Sequence, residues 1–285
     1  MPVPIPIGEG AQASTATTLR DDAPARGVLE HLLGVIRGLG VGLAIVAFWS
    51  GGFLLAWLVV PYMAWREPEA LARRRRMQCV VTAAWRWFHW VLERTALYRC
   101  RYTGAELEAE PAVYVANHPS LLDVTSIMCR LPHVCCVVRS SLIDSPLVGA
   151  LLRSSGHVSG GDGSFLAGAA VLEALLMRLR EGSSVLVFPE GTRSPKRGLH
   201  RFRRGAFEVA KRANVPVVPL FLRCDPPALG KGTSLWEHPL ECPALTVQVC
   251  EAIDMNHLES EAACRLVEAD FRERLSVEAY REELS

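Results

Sequence analysis

From Gly38 to Trp65 the chain carries no charged residue, although Arg37 and Arg66 stand at either end. Wound as one helix, this run is about 40 Å long at 1.5 Å per residue, enough to cross a ~30 Å hydrocarbon core with tilt. With its flanks it predicts a membrane-associated helical segment over residues 27–97. Gly51-Gly52 divides the run into halves each too short to span, and Pro61 weakens the second, so a single span and a shallow helical hairpin both stay open. Beyond the run come Arg66 and Arg73-Arg74-Arg75-Arg76, then Trp85, Trp87, Phe88 and Trp90. Arginines beside an apolar segment favour the cytoplasmic side, and tryptophans favour the headgroup layer. The rest of the chain is therefore expected in the cytoplasm, against the inner leaflet of the cytoplasmic membrane. The alternative is a buried core helix followed by a solvated basic turn.

Residues 1–26, rich in Pro, Ala, Thr and Gly, offer little to bury and read as a disordered leader without the marks of a signal peptide. Lys and Arg number 31 against 30 Asp and Glu, so no global field points to nucleic acid as a partner. Nine cysteines without a CxxC pair argue for reduced thiols in a cytosolic domain, and no metal site is expected.

Residues 98–285 read as a second unit, long enough for one substantial core. Strand patterns at 99–102, 113–116, 134–138, 185–188, 215–222 and 245–250 alternate with helical ones at 120–130, 146–154, 165–180, 205–212 and 258–284. Such alternation predicts an α/β fold, a mostly parallel central sheet with helices on both faces, preceded by the N-terminal membrane-associated helical segment.

Within that unit, Asn117-His118-Pro119-Ser120-Leu121-Leu122-Asp123 follows a short apolar run. On an unbroken helix, residues five apart point roughly 140° away from each other, and His118 could not meet Asp123. Pro119 disfavours helical geometry at the residue before it and suits the first turn of a helix. His118 is thus expected just outside the helix, at the mouth of a strand-to-helix turn, with Asp123 in the first turn and within reach. A carboxylate bonded to one imidazole nitrogen fixes the tautomer and leaves the other free to take a proton from a hydroxyl. The same residues also fit a plain capping box, Ser120-x-x-Asp123, with the histidine bonded to backbone.

A second polar stretch, Phe188-Pro189-Glu190-Gly191-Thr192-Arg193-Ser194, follows an apolar strand pattern and precedes a basic loop with Lys196, Arg197, His200, Arg201, Arg203 and Arg204. Glycine lets main-chain amides approach a ligand, and arginine grips phosphate oxygens with two donors, which makes this a candidate anion site. A solvated basic turn capped by Thr192 is the plain alternative. His133, His157 and His238 have no partner at useful spacing and are expected to be structural or solvated.

Together, Asn117-His118-x4-Asp123 and Phe188 to Ser194 resemble the first and third signature blocks of the glycerolipid and lysophospholipid acyltransferase family, the 1-acylglycerol-3-phosphate acyltransferase-like proteins. Val215-Pro216-Val217-Val218-Pro219 resembles the fourth block, and Arg139-Ser140-Ser141-Leu142 with Pro146-Leu147-Val148-Gly149 is similar to the stretch leading into the second. The resemblance covers roughly residues 98–250. It implies transfer of a fatty acyl group from an acyl-CoA or acyl-ACP thioester, a co-substrate with no further cofactor, to the free hydroxyl of a lysophospholipid. The default acceptor is 1-acylglycerol 3-phosphate, giving phosphatidate in phospholipid biosynthesis. By the same resemblance His118 is the general base, Asp123 orients it, and Arg139, Glu190, Gly191, Thr192 and Arg193 bind substrate. The implied partners are membrane lipids, the lysophospholipid acceptor, and acyl-CoA or acyl carrier protein. No serine or cysteine stands in a nucleophile elbow, so direct transfer is expected instead of an acyl-enzyme.

One departure bears on the acceptor. The family's second block commonly ends in an arginine, whereas the matching stretch here runs Gly156-His157-Val158-Ser159-Gly160-Gly161-Asp162. Arg153, from the preceding helical pattern, is the candidate substitute. Three other readings stay open: a different lipid acceptor in a specialised lipid or polyene pathway, a membrane lipid-binding homologue without turnover, and a hydrolase that activates water on phosphate esters. In the basic loop, Arg193 is expected in direct contact with substrate, and Arg203 and Arg204 are expected to steer ligands or begin the next helix.

Overall fold

The computed structural model describes residues 23–106, 111–161, 165–230, 232, 239 and 241–283. Residues 1–22 of the expected leader lie outside them, as do His238 and Leu284. Helix α1 (Ala23–Leu54) begins inside the last residues of that leader, passes into a π-helical turn at Leu55–Val59, and continues as α2 (Val60–Arg66). The uncharged run is therefore one helical rod, unbroken at Gly51-Gly52. A glycine within a helix costs only about 1 kcal/mol, and Gly52 clears a position where a Cβ would stand 3.0 Å from Val148 Cγ1. Pro61 follows directly on the π-helical turn, a local change of hydrogen-bond register that accommodates a missing N–H inside the rod.

The reversal comes at residues 67–69, after which α3 (Ala70–Arg94) runs back along α1. Phe48 stacks on Trp85 with ring centroids 5.3 Å apart and meets Phe88 edge-on at 5.9 Å. Further along, Arg37 Nη2 donates to the carbonyls of Ala96 and Glu241. The arginine cluster that the sequence assigns to the cytoplasmic side is largely engaged with the protein. Arg74 pairs with Glu181, Arg75 donates to the Glu181 carbonyl, Arg73 donates to the carbonyls of Glu67 and Pro68, and Arg76 pairs with Glu67. These contacts fasten α3 to its own turn and to the domain.

The domain is built on a seven-stranded sheet in the order β1-β7-β6-β2-β5-β3-β4. Its strands are β1 (Arg99–Gly104), β2 (Val113–Ala116), β3 (Val134–Val138), β4 (Val158–Ser159), β5 (Ser184–Val187), β6 (Val217–Asp225) and β7 (Ala244–Val249). β6, β2, β5, β3 and β4 run parallel, while β7 is antiparallel to β6 and pairs in parallel with β1. The expected mostly parallel sheet is present, with a reversed pair at one edge.

Central β2 is buried at every position, which is why its sequence is a continuous apolar run with no alternation. Tyr114 points to a core shared with α1, α3 and α4 (Asp123–Met128); Val113 and Val115 point to one shared with α7 (Phe165–Arg180), α8 (Gly205–Ala213) and α9 (Ser260–Glu283). Helices thus lie on both faces. The helix expected over 146–154 is α6 (Gly149–Ser154), and a separate short helix, α5 (Ser140–Ile143), precedes it. In parallel sheets, ligand sites form beyond the carboxyl ends of the strands. Here the loops after β2, β3, β5 and β6 all emerge at that edge.

Candidate active site

Val115 of β2 and Val187 of β5 are register partners, so the loops that follow them leave the sheet side by side. This juxtaposition brings the two polar motifs together. The His118 N–H donates to Glu190 Oε1 at 3.1 Å and to Ser194 Oγ at 3.1 Å, and the Ser194 N–H returns a bond to the His118 carbonyl at 2.8 Å. Glu190, expected among the substrate-binding residues, is instead engaged by the protein. Its Oε1 also accepts from the Ser194 hydroxyl, its Oε2 accepts from the His200 N–H at 2.9 Å, and the residue is 4% exposed. A carboxylate so occupied braces the histidine loop.

His118 lies outside the helix, as Pro119 predicts, and residues 120–122 form a turn so that α4 begins only at Asp123. His118 Nδ1 lies 2.8 Å from Asp123 Oδ2, and that same oxygen accepts the Ser120 N–H at 2.8 Å. The dyad and the Asp123 half of the capping box therefore coexist on one oxygen. The imidazole stacks on Phe188, with centroids 4.2 Å apart and planes 25° from parallel. Nε2 has no hydrogen-bond partner among the described residues. Asp123 is fully buried, and burial pushes its carboxyl up to about 6, against the hydrogen bond and charge of His118 and the Ser120 N–H, which pull it down. Once ionised it can only accept, so His118 carries its proton on Nδ1 and presents a lone pair at Nε2.

The remaining expected residues are distributed around this centre. Arg193 Nη1 donates to the Leu229 and Gly230 carbonyls, both at 2.9 Å, and the Leu121 N–H also reaches the Leu229 carbonyl at 3.2 Å. Arg193 thereby ties the segment after β6 to the loop after β2. Gly191 has φ of 70°, and a Cβ there would stand 3.2 Å from Arg203 Cζ. Arg203, expected to steer ligands or begin the next helix, thus lies over the Glu190–Arg193 turn, whereas Arg204 immediately precedes α8 as its N-cap. Thr192 is half-buried beside Gly191. Arg139 is exposed at the end of β3, two strands from β2 and so about 10 Å away laterally.

Arg153, the candidate substitute for the missing arginine, donates to the Ile143 carbonyl and lines a groove with Trp57 and Pro61. His157 is buried, its pKa lowered to about 4 by burial, and its Nδ1 accepts the Cys136 N–H at 3.0 Å. Phe188, Ser194 and Arg203 had no assigned place at the dyad, because their contacts depend on which strands are neighbours. Among the described residues no group of three His, Cys, Asp or Glu side chains is arranged to hold a metal.

The profile of the Acyltransferase family matches residues 99–223. A 1-acyl-sn-glycerol-3-phosphate acyltransferase from Chlamydomonas reinhardtii is 31% identical over 259 residues, which cover 88% of this chain and 72% of that protein. The chain belongs to this acyltransferase family and is an O-acyltransferase. Human 1-acyl-sn-glycerol-3-phosphate acyltransferase beta is 31% identical over 58% of this chain and 59% of its own. A chloroplastic counterpart from Arabidopsis thaliana is 28% identical over 64% of this chain and 51% of its own, so this chain spans about half of that relative's length. The fold is shared with the crystal structure of the 1-acyl-sn-glycerophosphate (LPA) acyltransferase PlsC from Thermotoga maritima, at a TM-score of 0.66 and 19% identity, covering 87% of this chain and 96% of that one.

Proposed function

We propose that this chain transfers a fatty acyl group from a CoA or acyl-carrier-protein thioester to the free hydroxyl of 1-acylglycerol 3-phosphate, giving phosphatidate. The observation that carries the mechanism is His118 with Nδ1 bound to buried Asp123 and Nε2 without a partner among the described residues. Nε2 takes the proton of the acceptor hydroxyl as its oxygen attacks the thioester carbonyl. The carbon–sulfur bond then breaks, the imidazolium returns the proton to the leaving thiolate, and an ester and a free thiol result. General-base assistance of this kind contributes roughly 10²–10⁴-fold. Ionised Asp123 holds the ring and stabilises its transient positive charge. Gly191, Thr192 and Arg193 form the turn that receives the acceptor's phosphate, with Arg203 lying over it and Arg139 at the end of β3. The acceptor itself is taken from the names of the relatives.

The same reading places the domain against one leaflet of the cytoplasmic membrane, on its cytoplasmic face. The rod touches its own domain from Arg37, bonded to Ala96 and Glu241, to Trp57, whose Nε1 donates to the Pro146 carbonyl. Those residues are about 30 Å apart along a helix. A helix fastened to a polar domain over that length lies in the interface and does not cross the bilayer. Its outer side, with Leu39, Leu43, Val46, Leu58 and Trp65, is exposed, and Trp87 and Trp90 are exposed on α3.

The test is to incubate membranes bearing the protein with labelled acyl-CoA and acyl-ACP and a panel of lysolipids, and to identify products by mass. Acylation of lysophosphatidate is expected. Activity confined to another lysolipid would overturn the acceptor assignment, and release of free fatty acid without ester formation would overturn acyl transfer.

A further inference from the structure

We infer that Tyr98 is a positioning residue for the His118–Asp123 dyad, its buried hydroxyl holding the second carboxylate oxygen of Asp123 through one trapped water. The inference rests on the acyl-transfer reading of His118. Asp123 Oδ2 serves both His118 and Ser120, but Oδ1 is buried and has no partner among the described residues. The Tyr98 hydroxyl is likewise buried, in a residue 3% exposed, with the Ser120 hydroxyl and the Cys224 thiol beside it but no well-aligned hydrogen bond among the described residues. Tyr98 immediately precedes β1; its hydroxyl lies beside Ser120 and within electrostatic reach of Asp123. One orphan is a donor and the other an acceptor. Buried polar groups are nearly always paired, so two complementary orphans in one neighbourhood mark a shared site.

The other titratable groups around this pair are accounted for. His118 and Glu190 face Asp123 from the two motif loops, and Cys224 faces it from β6. Cys100 of β1 and His89 of α3 border Tyr98. The Cys224 and Cys100 thiols are each pushed up to about 11, chiefly by burial, so they stay protonated. Burial lowers His89 to about 4, and the ring is therefore neutral. It donates from Nε2 to the Thr125 hydroxyl at 2.9 Å, because that hydroxyl gives its own proton to the Leu122 carbonyl. Burial raises the Tyr98 phenol well above its ordinary range, which keeps it a donor. A hydrogen bond to a carboxylate favours its ionised form. Tyr98 thus helps keep Asp123 charged and the Nε2 lone pair of His118 available.

The experiment is Tyr98→Phe in the full chain on membranes, with kcat, KM and the pH profile measured together. The acid limb of kcat/KM should move up by about one pH unit, and activity at pH near that limb should fall about tenfold. KM should stay within about twofold, and activity should recover at alkaline pH, which a merely structural defect would not allow. An unmoved acid limb overturns the inference. If the variant fails to fold, a fluorinated tyrosine at position 98, a stronger donor, should move the limb down, and no movement overturns the inference equally. Asp123→Asn separates the two claims. If it retains full activity the dyad reading fails; if it is inactive while the Tyr98→Phe limb is unmoved, only the role of Tyr98 fails.

Discussion

The main-chain N–H of His118 donates to the carboxylate of Glu190 at 3.1 Å, across 72 residues of sequence. The second motif therefore acts on the first by holding its backbone before any substrate arrives. Glu190→Gln replaces a carboxylate oxygen with an amide nitrogen that meets N–H or O–H donors head-on. The expected result is a loss of about 1–3 kcal/mol in unfolding free energy and at least a tenfold lower kcat, with little change in acceptor KM. A raised KM at unchanged kcat and stability would place Glu190 on the substrate instead.

Gly191 sits where a side chain would be strained by its φ of 70° and would press on the Arg203 guanidinium. Gly191→Ala should therefore raise KM for an anionic acceptor severalfold while affecting a neutral acceptor less. Arg203→Ala should do the same. The double variant should cost no more than the worse single one, since both remove one interaction. Additive losses would mean that Gly191 and Arg203 act separately.

Burial moves Asp123 from 3.8 to about 6. The folded state then binds that proton more tightly than the unfolded one, so the group adds stability below pH ~4 that is lost as pH rises through about 6. At pH 8 the buried charge costs on the order of 3 kcal/mol at most. Asp123→Asn never carries the charge. Its Tm relative to wild type should rise between pH 4 and pH 8, although its activity is lost. A gap that does not change with pH contradicts the assignment.

Epitopes placed before α1 and after α9 distinguish a rod that lies in one leaflet from one that spans. In sealed vesicles both epitopes should be digested from the same side. Protection of one and digestion of the other would show a span.

Elements whose residues face one environment throughout were legible in the sequence. β2 and β3 were drawn at their observed limits because a buried parallel strand is apolar at nearly every position. Two-residue β4 carries no pattern to detect. Of the two forms that the sequence leaves open for the uncharged run, the continuous helix is present, and the reason for a small residue at Gly52 is the approach of Val148, nearly a hundred positions away. The His118–Asp123 pairing followed from Pro119, a local constraint. The positions of Glu190, Phe188, Arg203 and Tyr98 follow from β5 and β6 flanking β2 and from β1 lying beyond them, an order that no single stretch encodes.

The most direct test of the account is His118→Ala in the full chain, assayed on membranes with an acyl-thioester and lysophosphatidate. Removing the imidazole should lower kcat by roughly 10²–10⁴-fold, with membrane association and Tm unchanged. Turnover within about tenfold of wild type in that folded, membrane-bound variant would contradict His118 as the base.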